Sequence, residues 1–409
     1  MTASRRTVLS GTAAAVAASV LRPSVARAAY GPGVTEHEIK LGTTAPYSGP
    51  ASSFGVYGHA QQAYFRMVND RGGVNGRKVN LISLDNGYVP AKALEQTRIL
   101  VESENVFAIA GFLGTSPNTA VQKYLNGKQV PNLFLTSGAD RFNDPKHFPW
   151  IVPFYPLYAA QTAAFGRYIL KTKPDAKIAV QYLNDDLGRD FLRGLKKGLG
   201  DRAASMIVRE IAHELGEPSI DSQVVDCEAS GADVFVQLTT AKFAAQGIRK
   251  VAALDWHPLH IVNSNCTSVG GTLAPAGLNK AKGLVSAWWE LDPAAASNAD
   301  RPAVKDYKAF LAKYLPSISL DDQTAVPAYN NAYMIERVLE RCGNDLTREN
   351  LLRQATSLKG IRPPLYMDDI GVFNSPADYR AIHNLRMMQF DGKEWRPMGE
   401  LVNLDEVAT

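Results

Sequence analysis

Cysteine is scarce in this sequence: Cys227, Cys266 and Cys342 are the only three in 409 residues. A chain of this length with at most one possible disulfide takes its stability from packed cores rather than cross-links. Net charge is also small. The 44 basic residues stand against 40 acidic ones, and Arg5, Arg6, Arg22 and Arg27 at the extreme N-terminus account for the difference. The remainder is close to neutral, which excludes the basic face that nucleic acid or an anionic membrane surface requires. No apolar run approaches the roughly 18–20 residues of a membrane-spanning helix.

Catalytic signatures are absent as well. The sequence contains no nucleophile elbow, zinc-protease helix motif, P-loop or dinucleotide glycine fingerprint. Its one histidine cluster, Asp255-Trp256-His257-Pro258-Leu259-His260, carries a proline between the histidines. That proline breaks helical presentation of a metal pair, so no metal or cofactor is expected. The carboxylate pairs Asp185-Asp186, Asp321-Asp322 and Asp368-Asp369 read as turns and solvated surface. An exported hydrolase is the weakest of the readings.

What is present begins with a targeting signal. Ser4-Arg5-Arg6-Thr7 precedes an uncharged stretch from Val8 to Leu21, and Ala26-Arg27-Ala28 supplies small residues for a peptidase. This pattern predicts a cleavable signal over residues 1–28 and residence in the periplasm. The arginine pair and mild apolar stretch point to the twin-arginine route, with the general secretory route as the alternative. No cysteine lies near the cleavage site, which excludes lipid attachment there. Roughly 380 residues remain, too many for a single core and suited to two domains.

From Ile39 the chain alternates short β-like runs with helical stretches. Strands are predicted at Ile39–Thr44, Val79–Leu84, Phe107–Gly111 and Asn132–Leu135, and helices at Gly55–Asp70, Pro90–Glu104 and Asn118–Asn126. The helical spacing of Ala60, Ala63, Tyr64 and Met67 marks one buried face. A second alternating series follows Pro149–Pro156. It comprises helices at Ala159–Lys171, Arg189–Leu199 and Ala241–Ala252, with strands at Ile178–Tyr182, Met206–Arg209, Asp233–Leu238 and His260–Asn263. Two long helices, Ala303–Leu315 and Val326–Arg341, and a β-like run at Asn384–Phe390 complete the chain. Strand–helix alternation with short links means parallel sheets with right-handed crossovers. The fold class is therefore α/β.

Three local patterns are more specific. The first is Ile39-Lys40-Leu41-Gly42 running into Pro46-Tyr47-Ser48-Gly49-Pro50, with Phe54-Gly55 behind it. The second runs from Val68-Asn69-Asp70-Arg71-Gly72-Gly73 to Val74-Asn75-Gly76-Arg77, then Leu84-Asp85. The third is Gly111 to Thr119, followed by Val130-Pro131-Asn132. In this order, behind a signal peptide, they resemble the leucine/isoleucine/valine-binding family of periplasmic receptors, from about Ile39 to Leu401. The resemblance implies two doubly wound parallel-sheet lobes joined by a three-strand hinge. Lobe 1 is expected at 37–154 plus 288–368, and lobe 2 at 155–287 plus 369–402. It also implies a monomeric, non-catalytic solute-binding protein that serves the membrane permease of an ABC importer.

The residues themselves place an anion site. Gly111-Phe112-Leu113-Gly114-Thr115-Ser116 leaves a strand and enters a helix, where free backbone N–H groups stabilise negative charge. Thr115 and Ser116 either hold a ligand carboxylate, as the resemblance implies, or cap their helix. By the same resemblance Gly138 and Ala139 present backbone to the ligand, Phe54 covers it or packs in the core, and Thr239 and Thr240 belong to the loop that reaches it from the second lobe. Leu187 stands where relatives carry tyrosine, which makes that wall more apolar. Asn265 stands where relatives carry the glutamate that receives the ligand's amine, and Asp140 where they carry threonine. Asp140 either replaces that glutamate or bonds its own loop. Of the adjacent tryptophans, one packs inside and the other, Trp288, is expected to line the cleft. The expected ligand is a hydrophobic or branched-chain amino acid. Aromatic acids such as hydroxybenzoates or cinnamates, and urea or short amides, are the alternatives.

Overall fold

The computed structural model describes residues 29–408; the signal expected over 1–28 lies outside them. Two sheets dominate, one parallel and one mixed. The first has five strands in the order Lys78–Asp85, Glu38–Ala45, Ala108–Ala110, Asn132–Leu135 and Ile151–Pro153, all parallel. Its inner strands are buried because helices cover both faces; Leu41, Ile109, Leu133 and Val152 are all fully buried. In chain order this is 2-1-3-4-5, the doubly wound arrangement whose order reverses beside the first strand.

The second sheet repeats that order. Its parallel strands are Ile207–His213, Ile178–Leu183, Val234–Leu238, Leu259–Val262 and Val285–Trp288. An antiparallel hairpin, Asn384–Phe390 with Trp395–Asn403, extends it to seven strands. Between the last parallel strand and the hairpin the chain returns to the first lobe. There the helices Pro302–Tyr314 and Ala325–Cys342 pack on the helix Gly55–Asp70 through Tyr64, Phe310 and Tyr329. The Tyr64 hydroxyl donates to Glu336 at 2.5 Å, and the Asn331 amide donates to the Phe134 carbonyl at 2.8 Å. The chain thus passes between the lobes after Pro153, after Trp288 and before Asn384.

Several details differ from the sequence expectation. The helices expected from Asn118 and Arg189 begin at Thr115 and Asp186. Asp185 is therefore not a solvated turn residue: it is the N-cap of the helix Asp186–Leu199, accepting from the Gly188 N–H at 3.1 Å. The helix Asp221–Ala229 and the strand Trp395–Asn403 were not expected. The first buries only Val224 and Cys227, and the second runs along a half-exposed sheet edge. All three cysteines are free and buried.

Candidate functional site

The carboxyl ends of both sheets face one another around an interlobe cavity of about 70 Å³. Its first-lobe wall comes from the segments that flank the point where the strand order reverses: Phe54 and Tyr57 after the first strand, Leu113 and Gly114 after the third. Tyr88 and Thr136 complete it. Tyr155 and Tyr158 enter from the first crossing, and Leu187, Thr240, Ser264 and Asn265 from the second lobe. Trp288, Gln323 and Pro327 close the remaining side.

Local backbone geometry makes this wall. Gly114 has φ +113°, and a Cβ there would lie 2.8 Å from the Tyr88 ring. Tyr88 itself has φ +62°, an uncommon value for an aromatic residue, held by an N–H bond to Asn86 Oδ1 at 2.7 Å. The two residues meet because one lacks a side chain and the other is turned into the left-handed region. The Tyr88 hydroxyl accepts from the Thr115 N–H at 3.3 Å. Burial pushes the Tyr88 phenol well above its ordinary value, so it stays protonated and able to donate.

The second lobe offers a matching feature. Thr240 is the N-cap of the helix Ala241–Ala253, yet its hydroxyl makes no cap bond. That oxygen is buried, has no hydrogen-bond partner, and belongs to a cavity-lining residue. A buried hydroxyl left unpaired is costly unless something else completes it. Helix N-termini from both lobes therefore meet one cavity, at Gly114 and at Thr240. Each brings partial positive charge.

Six of the residues singled out from the sequence line the cavity: Phe54, Gly114, Leu187, Thr240, Asn265 and Trp288. The other six do not. Thr115 lies directly behind the wall, its hydroxyl 2.8 Å from Ser137 Oγ and 3.4 Å from Tyr158 Oη. Gly138 is packed against the first crossing, where a Cβ would meet the Pro156 carbonyl at 2.2 Å, and Ala139 is buried beside it. The Thr239 hydroxyl is taken by His213 Nε2 at 2.7 Å, and its neighbour Thr240 faces the cavity instead. Asn265 Oδ1 already accepts from the Tyr155 hydroxyl at 2.8 Å.

Ser116 and Asp140 serve a different contact. Ser116 Oγ donates to Asp185 at 3.0 Å, and Asp140 is ion-paired with Arg193 while its N–H donates to Asp190 at 3.0 Å. Thr119 and Arg141 reach Asp186 at 3.2 and 2.9 Å. All of these bonds run from the first lobe to the helix Asp186–Leu199 of the second or to its N-cap. On another side, the Gly270 N–H donates to the Asp321 carbonyl at 2.8 Å. The lobes are thus held together by polar bonds around an uncharged cavity. Burial raises the Asp185 and Asp190 carboxyls above their ordinary values.

Tyr57, Tyr88, Tyr155 and Tyr158 were not among the site residues expected from the sequence; of the two threonines expected from the second lobe, Thr240 lines the cavity. The histidine cluster is not assembled: His257 is exposed beside Asp255, while His260 is buried and bonded to Gln237 Oε1 at 2.9 Å. Among the described residues no group of three or more His, Cys, Asp or Glu could hold a metal.

Two lobes of one doubly wound order, crossed three times and meeting at their strand ends, define the type 1 periplasmic binding protein fold. The chain belongs to the periplasmic binding protein family, whose model matches residues 38–394. It is 23% identical over 305 residues to a Leu/Ile/Val-binding protein homolog 7 of Brucella suis, covering 71% of this chain and 74% of that protein. A fatty acid ABC transporter substrate-binding protein from Thermomonospora curvata superposes with a TM-score of 0.77 at 23% identity, over 93% of this chain and 96% of that one. An ABC transporter solute-binding protein from R. palustris in complex with benzoate gives 0.74 at 19% identity, over 90% and 98%.

Proposed function

We propose that this protein is the periplasmic receptor of an ABC importer, exported by its N-terminal signal, and that its ligand is a small carboxylate with an aromatic or apolar body. The observation that carries this reading is the cavity lining: six aromatic rings and no charged side chain. A carboxylate there is stabilised by two helix N-termini and by the Tyr88 and Thr240 hydroxyls, without a counter-ion. The apolar body lies among Phe54, Leu187 and Trp288.

The missing charge also weighs against an α-amino acid. Its ammonium, a few ångströms from the carboxylate, would meet only neutral oxygens, one of them already used by Tyr155. The expectation that Asp140 answers an ammonium loses support because Arg193 holds that carboxylate outside the lining. Benzoate in one fold relative offers a precedent for the ligand class. The likeness to Leu/Ile/Val-binding homologues keeps leucine and phenylalanine in the test.

Titration calorimetry of the protein with benzoate, phenylalanine and leucine decides between them. Benzoate binding with no response to either amino acid upholds the proposal. Binding of an amino acid together with failure of benzoate overturns it.

A further inference from the structure

Behind Trp288 lies a second chamber of about 340 Å³, which shares Thr267, Trp288 and Gln323 with the tyrosine-lined cavity. The Trp288 indole is a partition with space on both sides. The two spaces differ in charge: the inner one has no charged side chain, whereas the outer one has Glu290, Asp292, Asp368 and Asp369 against Arg301 and Arg386. Both arginines are occupied, Arg301 by Asp368 at 2.8 Å and Arg386 by Asp369. The chamber is therefore acidic overall.

Glu290 is the exceptional member. It is 1% exposed, its Oε1 accepts from the Asn330 amide at 2.8 Å, and its Oε2 has no partner. Buried carboxyl oxygens are ordinarily satisfied, so one without a partner on a residue that lines a chamber is a vacancy for a polar group. Size points the same way. The inner cavity, at about 70 Å³, is smaller than the roughly 150 Å³ engineered cavity that admits benzene. Any aromatic acid, benzoate included, overfills it, and the adjoining volume lies past Trp288.

We infer that the chamber behind Trp288 is a second subsite of the same cleft, in which the Glu290 carboxyl bonds a donor-bearing polar group carried on the end of the ligand remote from its carboxylate. This rests on the reading of the inner cavity as the carboxylate site. The donor is an ammonium or a hydroxyl, and these behave differently. Burial pushes the Glu290 carboxyl up to about 8, so at pH 7 the empty site is mostly protonated. An ammonium displaces that proton to solvent and donates to the carboxylate, whereas a hydroxyl leaves it in place and accepts from it.

The test uses three acids of nearly equal shape: 4-ethylbenzoate, 4-(hydroxymethyl)benzoate and 4-(aminomethyl)benzoate. They are titrated calorimetrically at pH 7 in two buffers of different ionisation enthalpy. At least one donor-bearing acid is expected to bind about tenfold or more tightly than the ethyl compound. With the aminomethyl acid, about one proton is released. In Glu290→Gln the affinity ratio of the aminomethyl to the ethyl acid falls towards one. Equal affinities for all three acids in the wild type overturn the inference, as does an aminomethyl advantage that survives Glu290→Gln. The wild-type comparison and proton count stand alone if the variant's melting shows it is unfolded. Binding of 4-ethylbenzoate without any donor advantage removes only the subsite, whereas failure of all three acids removes the carboxylate reading as well.

Discussion

Arg193 of the second lobe grips the Asp140 carboxylate of the first, and three residues earlier on the same helix Asp190 accepts the Asp140 N–H. Asp140 is thus a fastener between the lobes. An ion pair at this exposure contributes about 0.2–1 kcal/mol. Asp140→Asn should therefore weaken every ligand by a similar factor, about 1.5- to 5-fold. It should also enlarge the radius of gyration of the unliganded protein. Calorimetry and small-angle scattering check this. A loss confined to amine-bearing ligands would return Asp140 to the site.

Adjacent threonines give the second prediction. Thr240→Val removes the unpaired cavity hydroxyl and should cost about 1.5–3 kcal/mol of carboxylate binding, roughly 10- to 150-fold. The fold should be unharmed, because that hydroxyl has no partner in the protein. Thr239→Val breaks the bond to His213 and should lower the melting temperature with a smaller effect on affinity. Equal affinities in wild type and Thr240→Val would leave that hydroxyl without a role.

Gly114 and Tyr88 are matched. Gly114→Ala places a methyl 2.8 Å from the Tyr88 ring, at a φ of +113°. Strain of this kind costs of order 1–3 kcal/mol. The variant should lose both melting temperature and affinity, because Tyr88 must leave the wall. Full affinity in Gly114→Ala would show that the ring is not needed there.

Glu290 sets a slope in stability against pH. Its folded value is raised from 4.5 to about 8, so its contribution is fully present below about 4.5 and is lost as pH rises to about 8. Across that window the wild type should lose stability relative to Glu290→Gln by about 1.4 kcal/mol per pH unit at most. Chemical denaturation of both proteins between pH 5 and 8 measures the difference and cancels other titrating groups. Parallel curves would place Glu290 in a wetter setting.

The sheets were legible because buried parallel strands read as short apolar runs between helical stretches. Ile178–Leu183 and Asn132–Leu135 were recognisable for that reason. Trp395–Asn403 was not, since a half-exposed edge strand has no core face to set an alternation. The cavity was legible in part. Gly114 and Asn265 sit at strand ends, where an open sheet places its ligand. Tyr88 and Tyr158 depend on a left-handed backbone turn and on a lobe crossing, neither of which residue type reports. The Asp140–Arg193 pair spans 53 residues and two lobes, so an acid at a strand end could only be read as available. Thr239 and Thr240 are adjacent in sequence, yet only Thr240 lines the cavity while the Thr239 hydroxyl bonds His213, a difference that residue type does not report.

The tandem tryptophans carry an optical consequence. Trp289 is buried in T-shaped contact with Tyr155, and Trp288, 4.6 Å away between ring centres, forms the wall between the two chambers. Indoles at that separation share their excited states, so a ligand that tilts Trp288 alters a coupled chromophore rather than a single one. Occupancy is thereby written into the near-ultraviolet dichroism and emission of the unlabelled protein. The partition that divides the cleft doubles as its gauge.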